Sequence, residues 1–330
     1  MKLSEFSYNL PKEFIAQYPL ENRLDAKLLV FERKTGKISH NKFYEINKFF
    51  EKGDVLVLNN TRVFKARLKG KKETGGIVEI LLIKELEAGI WKAMISHAKR
   101  TRENTKIFLD KDTFATVKEK IGTRCHLEFN KSTQQIIKKY GIVPLPHYIK
   151  RDTVTSDEEY YQTVFAKEQG SIAAPTAGLH FTKEILESIE KSGVKIVEIT
   201  LHIGPGTFKP IRTENIEEHK MEAEYYEISK DVVERINSAK RVFAVGTSVC
   251  RALETYVKTR ALTGLADLFI YPGHKFRIMD CLITNFHMPC STPLLLVCAF
   301  VSKPAIFEAY KQAVEKKYRF LSYGDAMIIL

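Results

Sequence analysis

No stretch of these 330 residues stays apolar for the roughly 20 positions that a membrane-spanning helix needs. The nearest run, Leu294 to Phe300, is far shorter and reads as a buried segment. The opening Met1-Lys-Leu-Ser-Glu-Phe6 lacks the apolar core of a signal peptide, so a cytoplasmic product is expected. The five cysteines are odd in number and have no paired metal spacing, which argues against a disulfide framework and a structural zinc site. Cys250, Cys281 and Cys298 lie in apolar surroundings, where inert packing is the ordinary use of a thiol. There is no Gly-x-Gly-x-x-Gly fingerprint, no Walker loop, no internal repeat and no low-complexity tract. His219-Lys-Met-Glu-Ala-Glu224 would place His219 and Glu222 on one helical face, but no further ligand completes a metal set. Acidic residues are the scarcer charge: 40 Asp or Glu against 52 Lys or Arg leave a net charge of +12. That excess favours a polyanionic partner through its field and through counterion release.

Small residues and hydroxyls concentrate in two neighbouring stretches. The first is Ser171-Ile-Ala-Ala-Pro-Thr-Ala-Gly-Leu-His-Phe-Thr182, and helical periodicity begins at Lys183. Thr182 can therefore cap a helix whose start, with the loop before it, suits a polar ligand. The second is Thr200-Leu-His-Ile-Gly-Pro-Gly-Thr-Phe-Lys-Pro210. Between them, Lys195 to Ile203 reads as a strand with Val197, Ile199, Leu201 and Ile203 on one face and Glu198, Thr200 and His202 on the other. His180 and His202 are thereby candidates to converge.

Taken in order, Lys27 to Glu32, Ile38 to Lys42 and Asp54 to Asn60 read as strands, the last ending in turn-forming asparagines. Six short extended segments follow: Arg62 to Lys72, Gly76 to Leu86, Ile90 to His97, Thr105 to Leu109, Thr113 to Lys120 and Thr123 to Phe129. Their spacing favours a small closed barrel, with Trp91 in its packing. Lys65, Arg67, Lys69, Lys71 and Lys72, and then Lys99, Arg100 and Arg102, could track a phosphate backbone or simply solvate strand edges. Ser132 to Tyr140 suits a short helix. Beyond it, helical stretches near 183–192, 230–240, 248–257 and 304–317 alternate with strands near 195–203, 241–246 and 276–286. The expected architecture is an α/β main domain with an inserted small β-barrel domain, divided as residues 1–60, 61–140 and 141–330.

Three further stretches carry polar groups to strand ends. Arg241-Val-Phe-Ala-Val-Gly-Thr-Ser-Val-Cys-Arg251 reads as a buried strand turning through Gly246 and Thr247 into a helix. Asp280 to Thr292 places Thr284, Asn285, His287, Ser291 and Thr292 at a strand-to-loop mouth, where hydrogen bonds can recognise a ribose or a base. In the terminal segment, Asp325 either lines a pocket or caps the Gly324 turn.

These motifs, in this order, resemble the S-adenosylmethionine:tRNA ribosyltransferase-isomerase family. The resemblance runs through Gly53-Asp-Val-Leu-Val-Leu-Asn-Asn-Thr-Arg-Val63, Gly75 to Glu79, Val143-Pro-Leu-Pro146, Tyr161 to Val164 and Ala173 to Thr182. It continues through Thr200 to Phe208, Thr284-Asn-Phe-His287 and Tyr318 to Met327. Departures from the family pattern fall at Ala26, Lys27, His147, Glu222 and Ser248 to Cys250.

The resemblance implies transfer and isomerisation of the ribosyl portion of S-adenosylmethionine onto the 7-aminomethyl-7-deazaguanine wobble base of tRNA. The product is epoxyqueuosine-tRNA, with release of adenine and methionine. S-adenosylmethionine is then a consumed cosubstrate and no permanently bound cofactor or metal is expected; a monomer is expected. His180 and His202 lead as proton-transfer candidates, with His287 and Asp325 orienting substrate or completing proton transfer. Thr176, Gly178, Gly204, Gly206, Thr207, Gly246, Thr247, Arg251, Thr284 and Asn285 form the expected binding set. A noncatalytic basic RNA-binding protein that retains the enzyme fold is the alternative reading.

Overall fold

The computed structural model describes residues 1–206 and 209–330. Its main sheet has nine strands in the spatial order Thr263–Ala266, Glu224–Glu227, Lys195–Leu201, Val55–Asn59, Val242–Val245, Cys281–Asn285, Ala326–Ile329, Lys27–Phe31 and Ile38–Lys42. Lys195–Leu201, Val55–Asn59, Val242–Val245 and Cys281–Asn285 are parallel neighbours. Strands covered on both faces read as continuous apolar runs, and Val55-Leu-Val-Leu58 and Val242-Phe-Ala-Val245 are fully buried runs of that kind.

Successive side chains alternate between two cores. Leu29, Val57, Ala244 and Leu282 pack beneath the helices Lys230–Asn237, Thr247–Thr259, Thr292–Phe300 and Lys303–Glu315. Leu28, Leu56, Phe243 and Ile283 face the helix Lys183–Lys191 and the 3-10 segment Phe43–Phe49. Thr182 caps the first of these, its hydroxyl accepting from the Ile185 amide at 3.4 Å. Burying one Leu or Phe side chain contributes about 1.5–3 kcal/mol, so both layers are needed to hold the sheet.

The second unit is a closed six-stranded barrel in the order Arg124–Phe129, Ile90–Ile95, Ile77–Glu87, Arg67–Lys72, Lys106–Phe108, Phe114–Ile121. Leu68, Val78, Ile80, Leu82, Ile107, Val117 and Leu127 fill it. Gly70 permits the close strand approach, because a Cβ there would stand 2.8 Å from a methyl of Ile107. Trp91 packs against Phe64 with ring centroids 5.9 Å apart.

Two sequence expectations need correction, and two strands carried no signal. The segment expected to be one strand from Arg62 is divided: Thr61–Val63 pairs in parallel with Glu168–Ser171, and the barrel strand begins at Arg67. Thr292–Phe300, expected as a loop mouth running into a buried segment, is a helix. It is apolar all round, so no 3.6-residue period marks it. The strands Glu224–Glu227 and Thr263–Ala266, which finish one side of the sheet, are four residues each, too short for alternation to show. Among the described residues no single helix is long and apolar enough to cross a membrane; the bent pair Thr292–Phe300 and Lys303–Glu315 turns through 114° and packs in the core.

Candidate active site

The carboxyl ends of the four parallel strands open on one side of the sheet, the usual place for a ligand crevice in an α/β fold. Asn59 fastens three of those ends together. Its Oδ1 accepts from the amides of Thr61 at 3.1 Å and Leu201 at 3.0 Å, while Nδ2 donates to Leu201 O at 3.0 Å and Ser248 Oγ at 3.2 Å. Asn60 adds a bond from the Thr200 hydroxyl at 2.8 Å. Above this floor lies a cavity of about 270 Å³. Gly246 allows the sharp turn from strand to helix with φ of +92°, which brings Thr247 and Ser248 to the wall.

The cavity gathers Thr176, Gly246, Thr247, Arg251, Thr284, Asn285 and His287 from the expected set, with Ser291 and Thr292 beside them. Ser291 caps its helix through the Leu294 amide at 3.4 Å. Asn285 is the central ordering group. Its Nδ2 donates to Leu321 O at 3.2 Å, and since a carbonyl only accepts, the amide orientation is settled. The same Nδ2 lies 3.1 Å from His180 Nε2, so that nitrogen is the lone-pair acceptor and the proton sits on Nδ1. Asn285 Oδ1 accepts from the Thr176 hydroxyl at 3.0 Å.

His180 therefore stands behind the cavity wall rather than in it. Its ring lies 5.0 Å from that of Phe43, and burial, aided by Arg23 and Arg319, pushes its pKa down to about 3. With its acceptor lone pair used by Asn285, Nε2 faces that amide and not the cavity. His287 lies on the wall itself. Its Nε2 is 2.7 Å from the Thr284 hydroxyl, its amide donates to the Tyr310 hydroxyl at 3.1 Å, and its carbonyl accepts from Tyr8. Burial also holds His287 near a pKa of about 3, and its Nδ1 has no protein partner among the described residues.

Other expected residues do not border this cavity. His202 lies just past its strand, with Nδ1 2.8 Å from the Thr61 hydroxyl, its ring stacked on Tyr225, and Gly170 pressed against it. Asp325 is a buried clamp that accepts from the amides of Lys27 at 2.8 Å and Arg319 at 2.7 Å. Gly178 is packed: a Cβ there would meet Phe165 at 2.7 Å. Gly204 donates its amide to Glu224 at 2.9 Å, and a Cβ on Gly206 would meet Glu222 at 2.6 Å. Thr207 lies outside the described residues. Arg251 borders the cavity, but its guanidinium is already engaged by buried Glu224, by Ala266 O at 2.8 Å and by Leu268 O at 3.3 Å. It braces the wall in place of clamping a free carboxylate. Glu224 itself, a buried acid on a four-residue strand, carried no sequence signal beyond its place in the His219–Glu224 cluster. Among the described residues no group of three metal-binding side chains is assembled.

Residues 3–329 match the family model described as "Queuosine biosynthesis protein". The chain belongs to that family. It is 48% identical over 336 residues to the S-adenosylmethionine:tRNA ribosyltransferase-isomerase of Sulfurihydrogenibium sp. (strain YO3AOP1), with all of both chains covered. Identity to the enzyme of that name from Thermotoga petrophila is 46% over 339 residues, again at full coverage. The crystal structure of the S-adenosylmethionine tRNA ribosyltransferase from Thermotoga maritima superposes with a TM-score of 0.57 and 36% identity, over 99% of this chain and 100% of that one.

As a member of the queuosine biosynthesis family, the chain accommodates its unusual residues in defined ways. Lys27 donates its ammonium to the carbonyls of Lys316 at 2.7 Å and Lys317 at 3.0 Å, at the end of a helix. Ala26 borders a small pocket shared with His180, and His147 lines the main cavity. Ser248 takes its bond from Asn59, while Cys250 is wholly buried. Glu222 pairs with Lys209 at the cavity and, at 2.6 Å, with Arg124 of the barrel.

Proposed function

We propose that the chain transfers and isomerises the ribosyl moiety of S-adenosylmethionine onto the 7-aminomethyl-7-deazaguanine wobble base of tRNA, releasing adenine and methionine. The observation that carries this reading is the cavity at the parallel-strand ends, walled by hydroxyls, an oriented amide and a neutral imidazole, in a chain that aligns end to end with enzymes of that name. The sulfonium of the cosubstrate makes its adjacent carbon electrophilic and the protons there acidic. Much of the protein's work is then placement of the acceptor amine against that carbon. Thr176, Thr284 and Asn285 present hydrogen-bonding groups suited to nucleoside hydroxyls and base edges. His287, kept neutral by burial, supplies Nδ1 to orient a substrate hydroxyl or ammonium. Thr247 and Ser248 stand at the start of a 13-residue helix, where the macrodipole favours negative charge on a bound ligand.

Residues 1–60 and 141–330 would form the main catalytic body and 61–140 the inserted barrel domain, a division supported by the six barrel strands lying between Arg67 and Phe129. The enzyme would act as a monomer in the cytoplasm, the first of which light scattering at working concentration tests. To test the reaction, the chain is mixed with S-adenosylmethionine and tRNA bearing the aminomethyl base. Nucleoside analysis should reveal the epoxide adduct with free adenine and methionine. Tight tRNA binding with no product, beside an active relative, would select the noncatalytic RNA-binding alternative.

A further inference from the structure

The cationic residues of the barrel fall into two groups that their primary spacing does not separate. On the side facing the main sheet the charges are used within the protein. Lys65 pairs with Glu158 at 2.6 Å, Lys69 with Asp152 at 3.4 Å, and Arg67 donates to Leu145 O at 2.9 Å. At the other end of the same strand, Lys71, Lys72, Lys99, Arg100 and Arg102 have no ion-pair partner among the described residues. Lys72, Arg100 and Arg102 border an open groove between the hairpin at residues 72–77 and the loop at residues 96–105.

The loop is a built structure. Its turn is closed by the Arg100 amide on His97 O at 2.9 Å and by Thr101, which is buried. Lys72 donates its ammonium to Arg100 O at 2.9 Å, tying the hairpin to the loop. Arg100 and Arg102 are left exposed beside one another. Hydrogen bonds and ion pairs connect the groove's rim to the barrel's last hairpin and from there to the cavity wall. Glu103, on its rim, accepts from the Lys120 amide at 3.2 Å, and the strand ending at Ile121 turns directly into the strand that begins with Arg124. Arg124 reaches Glu222, which also holds Lys209 on the cavity wall.

We propose that this groove is a docking surface for the phosphate backbone of tRNA, with the track from Arg100 and Arg102 past Lys120 and Arg124 to Lys209 guiding the chain that delivers the wobble base to the cavity. The inference rests on the functional reading above and adds a surface to it. A base inserted into the cavity fixes one nucleotide only, and exposed unpaired guanidinia suit phosphate oxygens in both charge and bidentate geometry. Phosphate contacts position a nucleic acid without reading its sequence, which fits a groove lined among the described residues by no Phe, Tyr or Trp.

The test compares the paired substitution Arg100→Ala with Arg102→Ala against Lys34→Ala with Lys37→Ala, which removes the same charge from an exposed turn at the far edge of the main sheet. The probe is full-length tRNA carrying 7-aminomethyl-7-deazaguanine, titrated by anisotropy across a salt series with the intact protein. The arginine pair should weaken binding about 10-fold and lower the slope of log affinity against log salt by about 2, roughly one for each phosphate that is no longer neutralised. KM for tRNA should rise by a similar factor, while kcat at saturating tRNA and the KM for S-adenosylmethionine stay unchanged. The lysine pair should leave all five readouts near wild type. Equal losses in the two pairs would reduce the effect to net charge and overturn the proposal, as would wild-type binding by the arginine pair. A wild-type chain that forms no product would sink the catalytic reading, and the salt slopes would still decide the surface.

Discussion

The crevice of the main sheet and the outer end of the barrel are both polar, and they treat their polar groups in opposite ways. In the crevice Asn59, Asn285 and Arg251 spend their capacity on neighbouring strands and loops, so the wall is rigid before any ligand arrives. At the barrel end Arg100 and Arg102 are exposed, with no ion-pair partner among the described residues. The first arrangement suits chemistry, where a small misplacement of a reacting group costs orders of magnitude. The second suits a mobile polyanion whose contacts must form and break. Net charge alone cannot distinguish them, because Arg251 and Arg100 count equally in the +12.

The largest break in this contrast should come from Arg251→Met. Glu224 is 4% exposed, and removing Arg251 takes a guanidinium counter-charge from a buried carboxylate that keeps its bond from the Gly204 amide. Breaking a buried pair in this way costs about 3–5 kcal/mol. Denaturant unfolding should register that loss, and adding Glu224→Gln should restore part of it. Arg124→Met, which removes a half-exposed partner of Glu222 while Lys209 remains, should cost under about 1 kcal/mol. Similar losses for Arg251→Met and Arg124→Met would mean that the crevice is no more committed to its internal bonds than the barrel surface.

Next in size is the loss of placement. His287→Asn should lower kcat/KM by about 10²-fold with little effect on folding, the scale expected when a positioned group at the reacting centre is lost. Thr284→Val removes only the hydroxyl 2.7 Å from His287 Nε2, and should cost about 10-fold. Single-turnover assays with both substrates saturating separate these effects from product release. Wild-type rates in a folded His287→Asn chain would remove the imidazole from substrate placement.

Much of this arrangement was legible from residue order, and the reasons differ by element. The parallel core was readable because Val55 to Leu58 and Val242 to Val245 are apolar without interruption and end in asparagine or glycine. The barrel was readable because six short extended segments between Arg62 and Phe129 follow one another at close spacing between turn signals. Thr176, Thr247, Thr284, Asn285 and His287 could be named because strand-to-loop junctions carry them. What periodicity could not supply was the partner of each polar side chain. His180 and Asn285 are 105 positions apart, and only the fold shows that the amide stands between the imidazole and the cavity. Arg251 with Glu224, and Asp325 with the amides of Lys27 and Arg319, are the same case. Spacing identifies a polar face, but burial decides whether that face meets a ligand or another part of the chain.

A smaller effect appears in the pH dependence of stability. An unfolded histidine takes up a proton near pH 6.5. Folded, His180 and His287 do so only near pH 3, chiefly because burial penalises the charged ring. Between these values the unfolded chain binds more protons than the native one, so stability rises with pH through the window and is complete above about pH 6.5. His180→Gln places an amide oxygen where Nε2 accepts from Asn285 and removes one titration. The stability lost on lowering the pH from 7 to about 5 should therefore be smaller in this variant than in wild type. Equal losses would show that His180 is charged in the native chain or leaves the native structure before it titrates.

The smallest expected effect concerns His202, a proton-transfer candidate in the sequence for its imidazole and its glycine-rich polar loop. It is absent from the cavity wall, and its surroundings are those of a packing histidine: a Thr61 hydroxyl at 2.8 Å, a Tyr225 ring at 5.8 Å and Gly170 against its edge. His202→Asn can keep the bond to Thr61, since the Asn side-chain head lies near the position of Nδ1, while the stacked ring is removed. Such an aromatic pairing is worth about 0.5–1.5 kcal/mol, and stability should fall by no more than that. Single-turnover product formation at saturating S-adenosylmethionine and tRNA should stay within about threefold of wild type, whereas removal of a group that transfers a proton would cost about 10²-fold or more. Tyr225→Leu serves as the companion variant, because it takes away the same ring pairing from the other side and should destabilise the chain by a similar amount. A 10²-fold loss in folded His202→Asn, with Tyr225→Leu near normal, would return His202 to the chemistry and move the catalytic centre outside the cavity at the strand ends.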